Sequence, residues 1–113
     1  MGMLLRKRGE VWWVNFEPAL GSEIRKKRPA VIVSNDVANT MMSRVQVVPV
    51  TSNVDRLYPS EAYVTVANKK GKAMADQLTT ADKQRFSGYI GSISEQEMQQ
   101  LDNPILIQLG IKK

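Results

Sequence analysis

The chain has 113 residues, no cysteine and no histidine, and 16 Lys and Arg against 11 Asp and Glu, a net charge of +5. A single domain of that length (residues 1–113) buries roughly 65% of the surface its unfolded form exposes, enough for a core without staples. Disulfides, thiolate chemistry and every histidine-dependent catalytic scheme are excluded, the usual zinc sites go with them, and neither a metal nor another cofactor is expected.

At the start, Met1-Gly2-Met3-Leu4-Leu5-Arg6-Lys7-Arg8, the apolar part is short and the charges follow it, the reverse of a secretion signal. No segment approaches the roughly 20 apolar residues of a membrane span, so a cytoplasmic protein with no membrane contact is expected. Glu10 to Phe16, rich in aromatic and β-branched residues, reads as a strand ended by Glu17-Pro18. One of its two tryptophans, Trp12 or Trp13, is expected in the core, the other free to stack on an aromatic ligand. A polar stretch follows to Lys27, without hydrophobic period, and reads as a surface loop. Ala30 to Val33 is the next strand, opened by Arg28-Pro29 and closed by Ser34-Asn35-Asp36.

Val45 to Val50 is a third strand, and Pro49 within it implies an edge position or a bulge. Ala62 to Val66 alternates like a half-buried strand; Lys69-Lys70-Gly71 then reads as the turn into a strand from Lys72 to Leu78. Thr80 to Lys83 suggests a helical turn, and Phe86 to Ile93 a last strand. The C-terminus carries the clearest helix: Ser94 and Glu97 form a capping box, and Met98, Leu101, Ile105 and Leu109 share one face. Pro104 either kinks that helix or splits it, because an interior proline removes a backbone bond. Several short strands with one terminal helix indicate a mainly β fold, a small barrel or strongly bent sheet.

Four polar clusters interrupt the apolar segments. Gly21-Ser22-Glu23 permits a tight turn whose N–H groups face an anion, and equally suits an ordinary surface turn. Arg28, at a strand's start, presents a planar donor fork that fits phosphate, or a salt bridge at the barrel rim. Thr51-Ser52 sets two hydroxyls at a strand's end, as oxyanion donors or turn residues. Asp76-Gln77 marks either a site or a solvent-facing strand side. The basic runs Arg6-Lys7-Arg8 and Arg25-Lys26-Lys27-Arg28 suit a polyanionic partner, nucleic acid or acidic protein, as well as plain solubility.

Taken together, Arg8-Gly9-Glu10-Val11, Gly21-Ser22-Glu23, Arg28-Pro29, Val48-Pro49-Val50-Thr51-Ser52 and Asp76-Gln77, ending in the Ser94 helix, resemble the MazF/PemK family of toxin endoribonucleases. The resemblance runs from about Arg8 to Ile111. It implies an SH3-like barrel with a C-terminal helix, a homodimer, cleavage of single-stranded RNA without metal, and inhibition by a cognate antitoxin, for which an acidic segment is expected. It puts the catalytic arginine on Arg28, the catalytic hydroxyl on Thr51, a contributing glutamate on Glu23 and a substrate-contacting glutamine on Gln77. Ser22, Lys27 and Ser52 are expected to hold RNA beside them, and Arg56 and Tyr58 to form a wall for splayed bases. Relatives carry an arginine beside the Asp-Gln pair where this chain has Met74, Thr79 and Thr80.

RNA brings its own nucleophile, the 2′-OH, so a chain without His or Cys has a route to a 2′,3′-cyclic phosphate and a 5′-OH end. Two other readings fit the fold: a CcdB-like gyrase-binding toxin, which needs no Arg–Thr pair, and a non-catalytic RNA-binding barrel.

Overall fold

The structure, a computed structural model, describes residues 6–112, so the first five residues of the start read above lie outside it. Among the described residues the strands are β1 (Glu10–Asn15), β2 (Lys27–Ile32), β3 (Arg44–Thr51), β4 (Glu61–Val66), β5 (Lys69–Met74), β6 (Thr79–Asp82) and β7 (Phe86–Ser92). Helix α1 spans Asp36–Met41 and helix α2 Glu95–Leu109. The antiparallel order is β4-β5-β3-β2-β1-β7, with β6 also on β3. The path does not close on itself, so the expected barrel is a bent half-barrel.

The bend follows from the burial pattern. In β3, Val45 and Val47 join one apolar cluster while Val48 and Val50 join another; in β2, Ala30 and Ile32 part from Val31 in the same way. Side chains alternate across a strand, so these central strands are covered on both faces. One cluster packs under α2 through Met98 and Leu101. The other gathers Trp12, Val14 and Phe16. Trp12 is the buried tryptophan, with its Nε1 donating to Glu10 Oε1 at 2.9 Å and its ring edge-on to Phe86 and Tyr89.

Pro49 is not at an edge. It pairs with Ala30 of β2 and is fully buried. Gln46 exchanges hydrogen bonds with Ser34 Oγ and the Val33 N–H on the β2 side, so alternation turns the nitrogen of Pro49 to the other side. There the partner changes from β6, ending at Val47↔Thr79, to β5, starting at Val50↔Ala73. The missing N–H falls in the gap between two partners and leaves no acceptor unsatisfied.

Four further expectations change. Helix α1 was read only as the end of a strand; Asn35 caps it, its Oδ1 accepting the Ala38 N–H at 2.8 Å. The β4–β5 turn is Ala67-Asn68, both at positive φ, so Lys69, Lys70 and Gly71 belong to the strand. Thr79–Asp82 is a strand, with the helical turn at Lys83–Arg85. Helix α2 runs unbroken through Pro104, which is buried, while Leu109 is exposed. Its ends behave as read: Ser94 Oγ accepts from Glu97 N–H at 3.1 Å, and Gly110 in the left-handed region closes the helix with Ile111 N–H on the Leu106 carbonyl. Among the described residues no helix is long and apolar enough to cross a membrane.

In the first basic run Arg6 and Arg8 are engaged by neighbouring groups, while Lys7 is exposed. The Arg6 guanidinium lies 4.3 Å from the Trp12 ring centroid, and Arg8 pairs with Asp102 of α2 at 2.5 Å while its Nε donates to Val33. The second run remains on the surface, at the root of β2.

Candidate active site

Strands β2 and β3 set Ile32 opposite Val47, Val31 opposite Val48 and Ala30 opposite Pro49. Carried two residues further along each strand, that register sets Arg28 level with Thr51. Both residues line one open cavity of about 440 Å3. Arg28 is held at Nε, which donates to the Arg25 carbonyl at 3.0 Å; among the described residues its Nη groups take no protein partner. Thr51 Oγ1 accepts the Asn53 N–H at 3.2 Å, which fixes the oxygen and leaves its proton free to donate. Ser52 lies beside it on the same cavity.

Close approach of β5 completes this corner. Val50 pairs with Ala73 and Thr51 with Lys72. A Cβ at Gly71 would stand 2.7 Å from Val50 Cγ1 and 3.0 Å from the Thr51 carbonyl oxygen, so a side chain there would push the strands apart. Behind Gly71 in sequence, Lys69 and Lys70 also line the cavity, as do Lys27 and Trp13. The lining thus carries four cations and no carboxylate. A concave surface of one sign raises the local concentration of the opposite charge, and a phosphodiester is the ligand that four cations and two hydroxyls suit.

Ser22, Glu23 and Gln77 meet elsewhere, in a second cavity of about 400 Å3. There Gln77 Oε1 accepts the Ile24 N–H at 3.2 Å, and Glu23 Oε1 accepts the Leu20 N–H at 2.7 Å. Glu23 thus lines this cavity and not the one that Arg28 and Thr51 share. A third hollow shares Lys27 with the first cavity and Arg85 with the second, so the three follow one another across the surface. Arg85 Nη1 bonds the carbonyls of Asn15 and Glu17, which ties down the root of the loop 16–26.

Arg56 and Tyr58 line none of these hollows. The Arg56 guanidinium lies 5.8 Å from the Tyr58 ring centroid. Their segment is fastened from below by Lys72, which pairs with Glu61 at 3.1 Å and donates to the Arg56 carbonyl. Lys69, Lys70 and Gly71 escaped the sequence reading because they looked like a turn. Asn68 was the available signal: Asn tolerates the left-handed region that a tight hairpin needs, which moves the turn two residues back.

Fold and cavity together define a class: a small antiparallel half-barrel with a cationic, hydroxyl-bearing hollow on its surface. Residues 7–109 match the family described as PemK-like, MazF-like toxin of type II toxin-antitoxin system, and the chain belongs to that family. It is 39% identical over 116 residues to endoribonuclease MazF9 of Mycobacterium tuberculosis, covering 95% of this chain and 98% of that one. The fold is similar to MazF from Deinococcus radiodurans, with a TM-score of 0.84 at 25% identity over 95% of this chain and 98% of that one. It is also similar to a mycobacterial endoribonuclease in complex with its cognate antitoxin, with a TM-score of 0.79 at 22% identity, covering 95% of this chain and 97% of the other.

Proposed function

We propose that this protein is the toxin of a toxin–antitoxin pair and cuts single-stranded RNA at defined sequences without a metal ion. The observation that carries the reading is the shared cavity of Arg28 and Thr51, with the Arg28 Nη groups and the Thr51 hydroxyl proton both available.

The reaction needs the 2′-OH next to the scissile phosphate to give its proton to water and attack phosphorus, forming a dianionic phosphorane; the bond to the 5′-oxygen then breaks, that oxygen takes a proton from water, and a 2′,3′-cyclic phosphate and a 5′-OH end result. Arg28 binds the phosphate and stabilises the charge that grows on it; a guanidinium gives up a proton too reluctantly to serve as the acid. Thr51 donates to a nonbridging oxygen, and Ser52 and Lys27 hold the same phosphate group. Four cations in the lining supply the charge that a bound divalent ion would otherwise bring. Glu23 belongs to the second cavity, so it takes the 2′-OH proton only if the loop 16–26 carries it across. In the present arrangement Ser22 and Gln77 receive a neighbouring stretch of the same strand, and Arg56 and Tyr58 contact it beyond the cavity. The protein works as a homodimer restrained by a cognate antitoxin with an acidic segment; family membership and the antitoxin-bound relative support the restraint by an antitoxin, and the basic run Arg25-Lys26-Lys27-Arg28 the acidic segment.

The test is digestion of a long single-stranded RNA by the pure protein in EDTA, with sequencing of the fragment ends. Cyclic phosphate and 5′-OH ends at a repeated sequence are expected, and Arg28→Ala should abolish them while circular dichroism stays unchanged. Near-normal cutting by Arg28→Ala would overturn the assignment. Binding without cutting by the wild-type chain would instead mark an RNA-binding barrel, and gyrase inhibition without either a poison.

A further inference from the structure

The cavity around Arg28 and Thr51 is larger than one phosphate needs. At about 440 Å3 it falls in the range that holds a drug-sized ligand. The surplus is lined on chemically distinct terms. Trp13 and Ile90 contribute apolar surface, and Lys69 and Lys70 contribute charge.

Trp13 is 42% exposed, although its neighbour Trp12 is buried. It stands on β1 opposite Pro29, one residue along the ladder from the Val14↔Arg28 pair. Its other flank lies against Gly88 of β7, where even a Cβ would approach the indole to 3.5 Å. An indole seated on a proline and a glycine presents an open, rigid aromatic face, which core packing does not require. Lys70 is held in place, its Nζ 4.0 Å from the Tyr63 ring centroid. Neither Lys69 nor Lys70 is neutralised by an ion pair among the described residues.

We infer that Trp13, Lys69 and Lys70 form the subsite for the nucleotide next to the scissile phosphate, its base stacked on the indole and its own phosphate attracted by the positive charge of the two lysines. The inference rests on the ribonuclease reading and extends it to this chain's own hairpin. An aromatic face with adjacent cations is how single strands are gripped without base-pair geometry. An acidic peptide would meet the same lysines but has no ring to place on Trp13, which is why a nucleotide is the occupant argued for.

The probe is an RNA oligonucleotide carrying the cleaved sequence with 2′-deoxyribose at the scissile nucleotide, which removes the nucleophile. Its binding should quench tryptophan fluorescence in the wild type and fail to do so in Trp13→Phe, because Trp12 is buried. With cleavable RNA, Trp13→Leu should raise KM by roughly five- to 150-fold with a smaller change in kcat, and Trp13→Phe should recover most of the loss. Lys69→Ala/Lys70→Ala should flatten the slope of log affinity against log salt by about 1.4. Unchanged KM in Trp13→Leu, or an unchanged salt slope in the double variant, would overturn the subsite while the wild type still cuts. If instead the Trp13→Leu and lysine variants cut normally and lose only antitoxin affinity, the face belongs to the inhibitor and the inference fails. Loss of cutting by the wild type in EDTA would sink the ribonuclease reading itself, a separate result.

Discussion

Gly71 lies against the main chain of Thr51: a Cβ at residue 71 would stand 3.0 Å from the Thr51 carbonyl oxygen and 2.7 Å from Val50 Cγ1. Backbone cannot give way as a flexible side chain can, so Gly71→Ala should shift β5 away from the end of β3. Overpacking of this kind costs about 1–3 kcal/mol of stability. The rate should suffer more, because a displacement near 1 Å at a reacting centre costs about 100-fold. Urea unfolding and kcat measured on the same preparations check this; unchanged kcat with lowered stability would show that Thr51 does not depend on β5.

The hydroxyl of Thr51 is separable from its volume. Thr51→Val keeps the shape and removes the donor, and should lower kcat by about 10²–10³, whereas Thr51→Ser should stay within a few-fold of wild type. Single-turnover cleavage of a fluorescent RNA reads both. Equal rates for the valine and serine variants would remove the hydroxyl from the mechanism.

Gln77 bears on Arg28 through the chain. Its Oε1 accepts the Ile24 N–H, and the carbonyl of the following residue, Arg25, accepts from Arg28 Nε. Gln77→Ala should loosen this segment and lower kcat by roughly two- to tenfold, the value of one net hydrogen bond. Gln77→Glu, which keeps the acceptor, should restore it. A rise in KM with kcat untouched would show that Gln77 acts through its contact with RNA alone and does not position Arg28.

Lys72 and Glu61 form an ion pair with side chains only 7% and 9% exposed. Removing one partner strands the other charge, so Lys72→Met alone should cost about 3–5 kcal/mol in urea unfolding. The double variant Lys72→Met/Glu61→Leu should lose less than the single one. A double loss equal to the sum of the two singles would mean that the pair is not coupled.

Much of the fold was legible because strand periodicity is a local property. In β4, Ala62 and Val64 alternate with Tyr63 and Thr65 and are buried, while the continuous run Ala30-Val31-Ile32 marks a strand covered on both faces. Helix α1 was not legible: six residues hold under two turns, too few to show a helical period, and only Asn35 and Asp36 hint at its start. Pro49 misled for the opposite reason. Its missing N–H marks an edge in isolation, and nothing local says that two different strands meet the same side of β3 there.

The site divides along the same line. Lacking His and Cys, the chain by itself determined that any phosphoryl chemistry falls to guanidinium, ammonium, hydroxyl and carboxylate groups. Which of them share a hollow was decided by tertiary structure. Arg28 and Thr51 meet because β2 and β3 pair in one register, and Lys69 and Lys70 join them because Gly71 lets β5 close on β3. Glu23 and Gln77, read with them along the chain, are drawn into another cavity by the hydrogen bonds of the loop 16–26. Residue type is written into each position, whereas register and close approach exist only between strands far apart in sequence, where packing sets them.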